Sequence, residues 1–278
     1  MSPPSGYILL SPAELSRLRL QAAVWEPEAE ALLDQIGVAH GWRCVDLGCG
    51  AVGILAALAR RIGPEEEGGR VIGVETDPLL LAAARDLIAA EGLTTAEVRG
   101  TDTVATGLPA RSFDLVHGRF LLAQPAGGGG RERRLLAEML RLTRPGGIVA
   151  LQEPDSSAWS CWPPRPEFDE LKALLLEACR LGGGDFDAGR RVHALFREIG
   201  LTDVRLRSAV LGLPPRHPYR RFPIMFAACA RRRILAASLA SERALDRLIA
   251  ACEAIAADDS VIVQSFIVTQ VWGRKPFL

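Results

Sequence analysis

The sequence has no net charge to attract a charged partner. Its 278 residues include 33 basic and 33 acidic side chains, and the pI is about 6.9. Without an overall positive field, a nucleic acid would have to be held by local basic patches. Arginines do cluster within residues 131–134, 216–221 and 231–233, but such clusters more often form solvated helix faces. We therefore expect no nucleic-acid partner.

Cysteine patterns typical of metal or disulfide sites are also absent. Six cysteines are present, but none has C-x-x-C spacing or a pairing with nearby histidines, so we expect no metal site and no disulfide framework. The chain lacks an apolar run of about 18 residues, and its start, M-S-P-P-S-G, is not a charged segment followed by an apolar one. These absences predict a cytoplasmic protein with no membrane partner, and they leave the oligomeric state undecided.

A glycine motif is the most informative stretch. Residues 45–53 read V-D-L-G-C-G-A-V-G, an apolar run that ends in an acid and is followed by glycines spaced G-x-G-x-x-G. Glycine at Gly48, Gly50 and Gly53 would let the backbone turn sharply, approach a ligand and pack a helix against the preceding strand. The motif predicts a strand, a tight turn and a helix around a cofactor, although a glycine-rich turn without a ligand has the same spacing.

Two acidic residues indicate which cofactor this is. Glu75 lies 22 residues after Gly53, at the end of a second apolar run, where a carboxylate suits a ribose diol. Asp46 lies two residues before the first glycine, where it would repel the pyrophosphate of a dinucleotide. The same carboxylate would attract an ammonium and a sulfonium, so the pair predicts S-adenosylmethionine rather than NAD.

Several motifs in order carry a family resemblance. The runs V-D-L-G-C-G-x-x-G, G-V-E-x-D-P, G-x-D, S-F-D-L-V-H and R-P-G-G occur within about residues 7 to 155. In this respect the chain resembles class I S-adenosylmethionine-dependent methyltransferases, above all those related to ubiquinone and menaquinone methyltransferases and to bacterial natural-product methyltransferases. The resemblance implies an α/β fold with a doubly wound, seven-stranded, mostly parallel, Rossmann-like sheet whose last strand is antiparallel.

The element pattern also suggests how the chain is divided. We expect residues 1–40 to form a helical lid of two helices, the first capped at Ser11 and the second beginning at Pro27. Residues 41–278 would form the S-adenosylmethionine-binding α/β domain. Within it, residues 214–258 would be a helical insertion that roofs the acceptor site. Residues 204–213 and 261–272 are predicted as the sixth and seventh strands, and residues 159–166 as an aromatic loop.

The resemblance extends to individual cofactor-binding positions. Related enzymes use an R-L-x-x-Q-A segment as a lid over the methionine end of the cofactor, and an acid in G-x-D to bind the adenine amino group. Two simpler roles remain open. The R-L-x-x-Q-A segment could be a solvent-exposed helix face, and the acid in G-x-D could shape a turn. The predicted cofactor-binding residues are Tyr7, Arg17, Gln21, Asp46, Gly48, Gly50, Gly53, Glu75, Thr76, Thr101, Asp102, Thr103 and Arg119.

Catalytic and acceptor residues are less well specified. Methyl transfer mainly requires alignment, and a general base helps when the acceptor is a carbon or a weakly acidic oxygen or nitrogen. The candidates are His117, for which a core hydrogen bond is an equal alternative, and Glu153, for which a turn-shaping role is the alternative. An aromatic and methionine stripe is more often plain core, but it could also line an acceptor pocket, and the candidate acceptor-binding residues are Trp159, His217, Tyr219, Phe222 and Met225. Arg220 and Arg221 could hold an acidic group of the acceptor.

The function that follows is methyl transfer to an oxygen, nitrogen or carbon of a small molecule, in secondary metabolism. A methyltransferase acting on a macromolecule would also have these motifs, and a continuous stripe of arginines beside the cofactor cleft would favour it. The motifs are further compatible with a protein that binds S-adenosylmethionine without methylating, and with a nicotinamide enzyme.

Overall fold

A computed structural model of the protein describes residues 12–124 and 130–277. The predicted cap at Ser11 and the predicted lid residue Tyr7 lie outside the described residues. Within the described ranges, no helix is both long enough and apolar enough to cross a bilayer.

The strands form one large and one small sheet. In chain order they are β1 (Arg43–Leu47), β2 (Arg70–Val74), β3 (Ala96–Arg99), β4 (Phe113–Arg119), β5 (Thr143–Asp155), β6 (Ser160–Trp162), β7 (Thr202–Ala209), β8 (Gly212–Leu213), β9 (Ile262–Gln264) and β10 (Ile267–Arg274). The large sheet has the order β3-β2-β1-β4-β5-β10-β7, and β10 is antiparallel to both of its neighbours. The expected α/β fold with a seven-stranded, mostly parallel sheet is therefore confirmed.

Helices cover both faces of the large sheet. They are α1 (Pro12–Ile36), α2 (Leu55–Ile62), α3 (Pro78–Ala90), α4 (Arg131–Leu142), α5 (Pro166–Leu181), α6 (Gly189–Glu198), α7 (Phe222–Ala236) and α8 (Glu242–Ala257). The central strands are buried on both faces, as is typical of parallel sheets. Strand order reverses between β1 and β4, so the carboxyl ends of these two strands open a crevice in which a ligand can bind.

The prediction of two N-terminal helices is wrong, because α1 is a single helix of 25 residues with Pro27 inside it. An internal proline removes one backbone hydrogen bond. The apolar face continues through the proline, since Trp25, Ala29, Leu32 and Leu33 are all buried. Burial of this stripe against the α/β domain offsets the lost bond, so one helix forms the whole segment.

The two long C-terminal strands are also interrupted. The predicted strand 204–213 divides into β7 and β8, and the predicted strand 261–272 divides into β9 and β10. At the break, the Leu211 amide donates to Ser265 Oγ at 2.9 Å and the Ser265 amide donates to Leu211 O at 2.9 Å. On the side of the break away from the large sheet, β9 pairs with β8 and with β6. Part of the expected aromatic loop at 159–166 is therefore the strand β6.

The expected roof packs against both the lid helix and α5. Helices α5, α7 and α8 contact one another, and α1 contacts α7. One apolar cluster joins Trp25 of α1 to Phe168 of α5 and to Phe222 and Phe226 of α7. The division into a lid, a domain and a roof stays a prediction, but these elements share one core.

Candidate active site

The glycine loop after β1 has the backbone that its sequence requires. Gly48, Gly50 and Gly53 have φ values of 62°, 60° and 52°, a left-handed conformation that side chains rarely adopt. A Cβ at Gly53 would lie 2.6 Å from Asp46 Oδ2, and one at Gly48 would overlap the side chain of Leu121. A Cβ at Gly50 would meet nothing within 4 Å. Gly50 therefore borders open space in which a ligand can approach the backbone.

Glu75, at the end of β2, holds this loop in place. One carboxylate oxygen accepts from the Gly50 amide at 3.0 Å, and the other accepts from the amides of Thr76 and Asp77 at 2.7 and 2.9 Å. Thr76 Oγ1 is 3.4 Å from the same carboxylate. Burial raises the pKa of Glu75, while the three N–H donors act in the opposite direction. The predicted ribose role stays a prediction, and Glu75 has a structural role as well.

Asp46 and His117 lie side by side on β1 and β4. The Asp46 carboxylate is 2.7 Å from His117 Nδ1 and also accepts from the Ile54 amide at 3.3 Å. The second ring nitrogen, Nε2, is 2.8 Å from the amide nitrogen of Gln152. His117 is fully buried and does not line the cavity, so the geometry favours the core hydrogen bond over direct catalysis. The catalytic role stays a prediction.

Glu153 is likewise enclosed in the core. Its carboxylate accepts from the backbone amides of Leu121, Leu122 and Ala123 at 2.8 to 3.2 Å, which holds the turn after β4. Burial raises the pKa of Glu153 to about 8. The side chain has no exposed surface and does not line the cavity, so the geometry favours the turn-shaping role over catalysis.

The lid helix contributes a polar cluster to the cavity. The Arg17 guanidinium donates to both carboxylate oxygens of Glu14, at 2.6 and 2.9 Å, and to Gln21 Oε1 at 2.6 Å. It also lies over the rings of Phe222 and Phe226, 5.7 and 5.8 Å from their centroids. Arg17 and Gln21 line the cavity, and the cofactor-binding role predicted for them stays a prediction.

Arg119, at the end of β4, provides a direct test of whether the expected cofactor fits. Its Nη2 makes one long hydrogen bond of 3.4 Å to Gly53 O, and its buried Nη1 has no partner. Burial lowers the pKa of Arg119, and nearby Asp46 acts in the opposite direction. A carboxylate such as that of a methionine moiety would satisfy Nη1, and the ammonium and sulfonium would lie on the side of Asp46. The residues present therefore fit S-adenosylmethionine.

The predicted adenine end lies at the turn after β3. Asp102 is paired with Arg131 at 2.9 Å and accepts from the Val104 amide at 3.2 Å. Partial burial raises the pKa of Asp102, but the hydrogen bond and charge of Arg131 lower it, and the net shift is downward. The Asp102 carboxylate is therefore ionised and can only accept hydrogen bonds. Thr103 Oγ1 accepts from Arg131 at 3.1 Å, and the buried Oγ1 of Thr101 has no partner. The adenine contacts stay predictions.

An aromatic cavity adjoins the glycine loop. Its phenylalanine lining is formed by Phe120, Phe186, Phe222, Phe226 and Phe266. Only Phe222 among the five predicted acceptor residues belongs to this lining. Trp159 stacks behind Phe186, Tyr219 accepts a hydrogen bond from Trp25, and His217 accepts from the Tyr219 amide. Met225 is half-buried outside the lining.

Sequence reasoning missed several residues of this cavity. Phe120 follows β4, Phe186 lies between α5 and α6, and Phe266 lies at the break between β9 and β10. Arg233, at the far end of α7, also lines the cavity. These positions come from distant parts of the chain. A possible signal was that Phe120 directly follows the end of a predicted strand.

Of the clustered arginines that the structure describes, Arg233 alone lines the cavity. Arg221 is paired with Glu253, and Arg231 is paired with Asp246 and Glu242. Arg220 is buried, and its Nη2 donates to the backbone carbonyls of Ile255, Asp258 and Val261 at the end of α8. Neither Arg220 nor Arg221 lines the cavity, so the geometry does not favour their holding an acidic group of the acceptor.

Comparisons with known proteins agree with this geometry. Residues 45–151 match a family model described as a methyltransferase domain. The chain is 34% identical over 198 residues to nocamycin O-methyltransferase of Saccharothrix syringae, a match that covers 65% of this chain and 66% of that protein, just under two thirds of its length. It is 31% identical over 160 residues to aklanonic acid methyltransferase DauC of Streptomyces sp. strain C5, covering 56% of this chain and 69% of that protein.

A solved structure shows the same fold. It is a phosphoethanolamine N-methyltransferase of Haemonchus contortus in complex with phosphomonomethylethanolamine and S-adenosylhomocysteine. The TM-score is 0.53 at 18% identity, covering 88% of this chain and 52% of that one. The chain therefore belongs to the S-adenosylmethionine-dependent methyltransferases, because its sequence matches these relatives and its structure has the glycine loop and the acidic residues at the strand ends.

Proposed function

We propose that the protein transfers a methyl group from S-adenosylmethionine to a small aromatic or apolar molecule, in natural-product biosynthesis. The observation that carries this proposal is the cavity lined by five phenylalanines directly beside the glycine loop. Aromatic walls provide a large apolar contact area and stack well on flat ligands.

The contribution of the protein is alignment and exclusion of water. When bound, S-adenosylmethionine supplies an electrophilic methyl group on a sulfonium. This methyl group would pass to a lone pair of the acceptor as its bond to sulfur broke, and the cofactor would be left as a neutral thioether. Asp46, Arg119 and the glycine loop line the cavity and would hold the cofactor end, and the aromatic walls would orient the acceptor against it. Such positioning provides much of the rate enhancement in two-reactant chemistry.

The cavity offers no available general base among its described residues. Glu14 is bound by Arg17, and Asp46 is bound by His117. Cys179 lines the cavity, but burial raises the pKa of its thiol to about 11. An acceptor that is already nucleophilic, such as an ionised oxygen, fits this environment best.

The relatives support a small acceptor. Nocamycin O-methyltransferase and aklanonic acid methyltransferase are named for natural products, and a demethylmenaquinone methyltransferase of Geobacillus kaustophilus is 25% identical over 200 residues. A macromolecular acceptor has less support, because Arg131, Arg221 and Arg231 are each paired with carboxylates.

A transfer assay tests the proposal. The enzyme is incubated with S-adenosylmethionine labelled in the methyl group and with a panel of aromatic acids, phenols and amines, beside total RNA and a protein extract as controls. We expect label in one class of small aromatic molecules. Phe226→Ala should raise KM for the acceptor and leave the affinity for S-adenosylhomocysteine unchanged. Label only in RNA or protein would refute the proposal.

A further inference from the structure

Arg233 is a cation without a counter-charge in the aromatic cavity. It lines the cavity, and it has no ion pair or side-chain hydrogen bond within residues 12–124 and 130–277. Its neighbour Arg231 points the other way, toward two carboxylates of α8. The difference shows that Arg233 is not simply part of a solvated, ion-paired helix face.

The position of Arg233 follows from the period of α7. Phe222, Phe226 and Arg233 are spaced four and seven residues apart, which places them on one face of the helix. At about 1.5 Å of rise per residue, Arg233 lies roughly 10 Å along the helix from Phe226. One face of α7 therefore presents an aromatic wall and, further along, a guanidinium.

The charges around the cavity are balanced except at Arg233. Five charged residues line it within the described chain: Glu14, Arg17, Asp46, Arg119 and Arg233. Glu14 neutralises Arg17. Asp46 suits the cationic groups of the cofactor, and Arg119 suits its carboxylate. Because the bound cofactor has a net positive charge before transfer, a negative charge on the acceptor would be favoured on electrostatic grounds.

We propose that the methyl acceptor carries a carboxylate, and that Arg233 binds it at the end of the aromatic cavity. The inference rests on the proposed function, since it names the class of acceptor for that site. Guanidinium groups match carboxylates in geometry and can bind them through two hydrogen bonds. The acceptor is then an aromatic acid whose ring system lies against Phe226 and whose carboxylate reaches Arg233.

Gly182 makes room for this arginine. It caps the end of α5 with φ of −77°, a conformation that any residue adopts. A Cβ at this position would overlap the Arg233 guanidinium, the flexible end of that side chain. Gly182→Ala should therefore displace the guanidinium without straining the backbone and without removing the charge.

Binding of two matched probes tests the proposal. Isothermal titration of the enzyme saturated with S-adenosylhomocysteine is performed with 2-naphthoate and with 2-naphthamide, which differ in the charge of one group. We expect the parent to bind 2-naphthoate about 10-fold more tightly, as a charge-assisted hydrogen bond implies. Arg233→Met should remove the preference, Arg233→Lys should keep part of it, and Arg232→Met, at the exposed neighbouring position, should keep all of it.

Gly182→Ala provides the second arm. It should reduce the preference for 2-naphthoate, while the affinity for S-adenosylhomocysteine and the melting temperature stay the same. Equal affinity of the parent for both probes, or a full preference in Arg233→Met, would overturn the proposal. In the transfer assay, label in neutral aromatic acceptors but not in acids would refute this inference and leave the proposed function intact. Label only in macromolecules would refute both.

Discussion

Asp46 Oδ1 and His117 Nδ1 lie 2.7 Å apart in the core of the sheet, with 2% and 0% of the two residues exposed. The amide of Gln152 donates to His117 Nε2, and Gln270 Nε2 donates to Gln152 Oε1 at 2.8 Å. The ring therefore donates from Nδ1 and accepts at Nε2. This arrangement fixes the orientation of Asp46, so His117 positions the carboxylate that we propose binds the cofactor.

Replacing His117 should therefore weaken cofactor binding. His117→Ala removes the shorter of the two hydrogen bonds to the Asp46 carboxylate and leaves only that from the Ile54 amide, which costs about 1–3 kcal/mol for a buried polar group. We expect weaker binding of S-adenosylhomocysteine by calorimetry and a lower melting temperature. His117→Asn, whose amide can donate near the Nδ1 position, should restore part of the affinity.

The pH profile separates this role from base catalysis. Should His117 act as a general base, His117→Ala would lower kcat at unchanged cofactor affinity and change the shape of the kcat profile. A positioning role predicts the same profile shape with a higher Kd. Unchanged cofactor affinity in His117→Ala would contradict the positioning role.

Gly50 and Gly53 should respond differently to the same substitution. Gly53→Ala places a Cβ 2.6 Å from Asp46 Oδ2 and 2.7 Å from Cys49 O, so we expect the protein to be destabilised even without cofactor. Gly50→Ala meets nothing within 4 Å and adds only the left-handed strain of about 1–2 kcal/mol. Its main effect should be weaker binding of S-adenosylhomocysteine, since the new methyl group occupies the space next to the loop.

Melting curves with and without S-adenosylhomocysteine compare the two variants. We expect Gly50→Ala to lose most of the ligand-induced rise in melting temperature, and Gly53→Ala to melt lower in both conditions. An undiminished rise in Gly50→Ala would show that the cofactor does not approach this glycine.

Glu75 should affect both the loop and the cofactor. Glu75→Ala removes the acceptor for the amides of Gly50, Thr76 and Asp77, so a loss of about 1–3 kcal/mol in the free energy of unfolding is expected in the free protein. A further loss of roughly 1–3 kcal/mol in cofactor binding is expected if the carboxylate also binds the ribose. Glu75→Gln, which keeps one acceptor oxygen, is the matched control. Denaturant unfolding together with calorimetry separates the two effects, and full cofactor affinity in Glu75→Ala would exclude the ribose role.

Glu153 should make stability depend on pH. Burial raises its pKa from 4.5 to about 8, so in this interval the native protein retains a proton that the unfolded chain has lost. The free energy of unfolding should therefore fall as the pH rises from about 4.5 to 8, by at most about 1.4 kcal/mol per pH unit for one proton. This contribution is complete below pH 4.5 and lost above about 8.

Denaturant unfolding at several pH values compares the parent with Glu153→Gln. We expect the variant to lack the part of the slope that Glu153 supplies, and to be destabilised because its amide cannot accept all three backbone N–H groups. Identical pH dependence in the two proteins would show that Glu153 is ionised in the native state throughout this range.

The sequence predicted the class of fold and the seven-stranded sheet, and its cofactor-binding residues stay predictions. The glycines, Asp46 and Glu75 follow apolar runs directly, and parallel strands bring their carboxyl ends to one edge. The meeting of these residues at one edge of the sheet could thus be inferred from local pattern alone. The single helix α1 could not be inferred in this way. The backbone hydrogen bond lost at Pro27 is a local cost that the sequence shows, whereas the burial of Trp25 and Leu32 depends on residues distant in the chain.

The sequence by itself determined the class of fold, the cofactor family and the turn geometry at Gly48, Gly50 and Gly53, since short-range periodicity and backbone conformation encode these features. Only the tertiary structure decided that His117 and Glu153 are enclosed by core hydrogen bonds, and that Phe120, Phe186 and Phe266 meet in one cavity with Arg233 at its edge. These residues are distant in the chain, and their roles depend on burial and on partners that the packing of whole elements supplies.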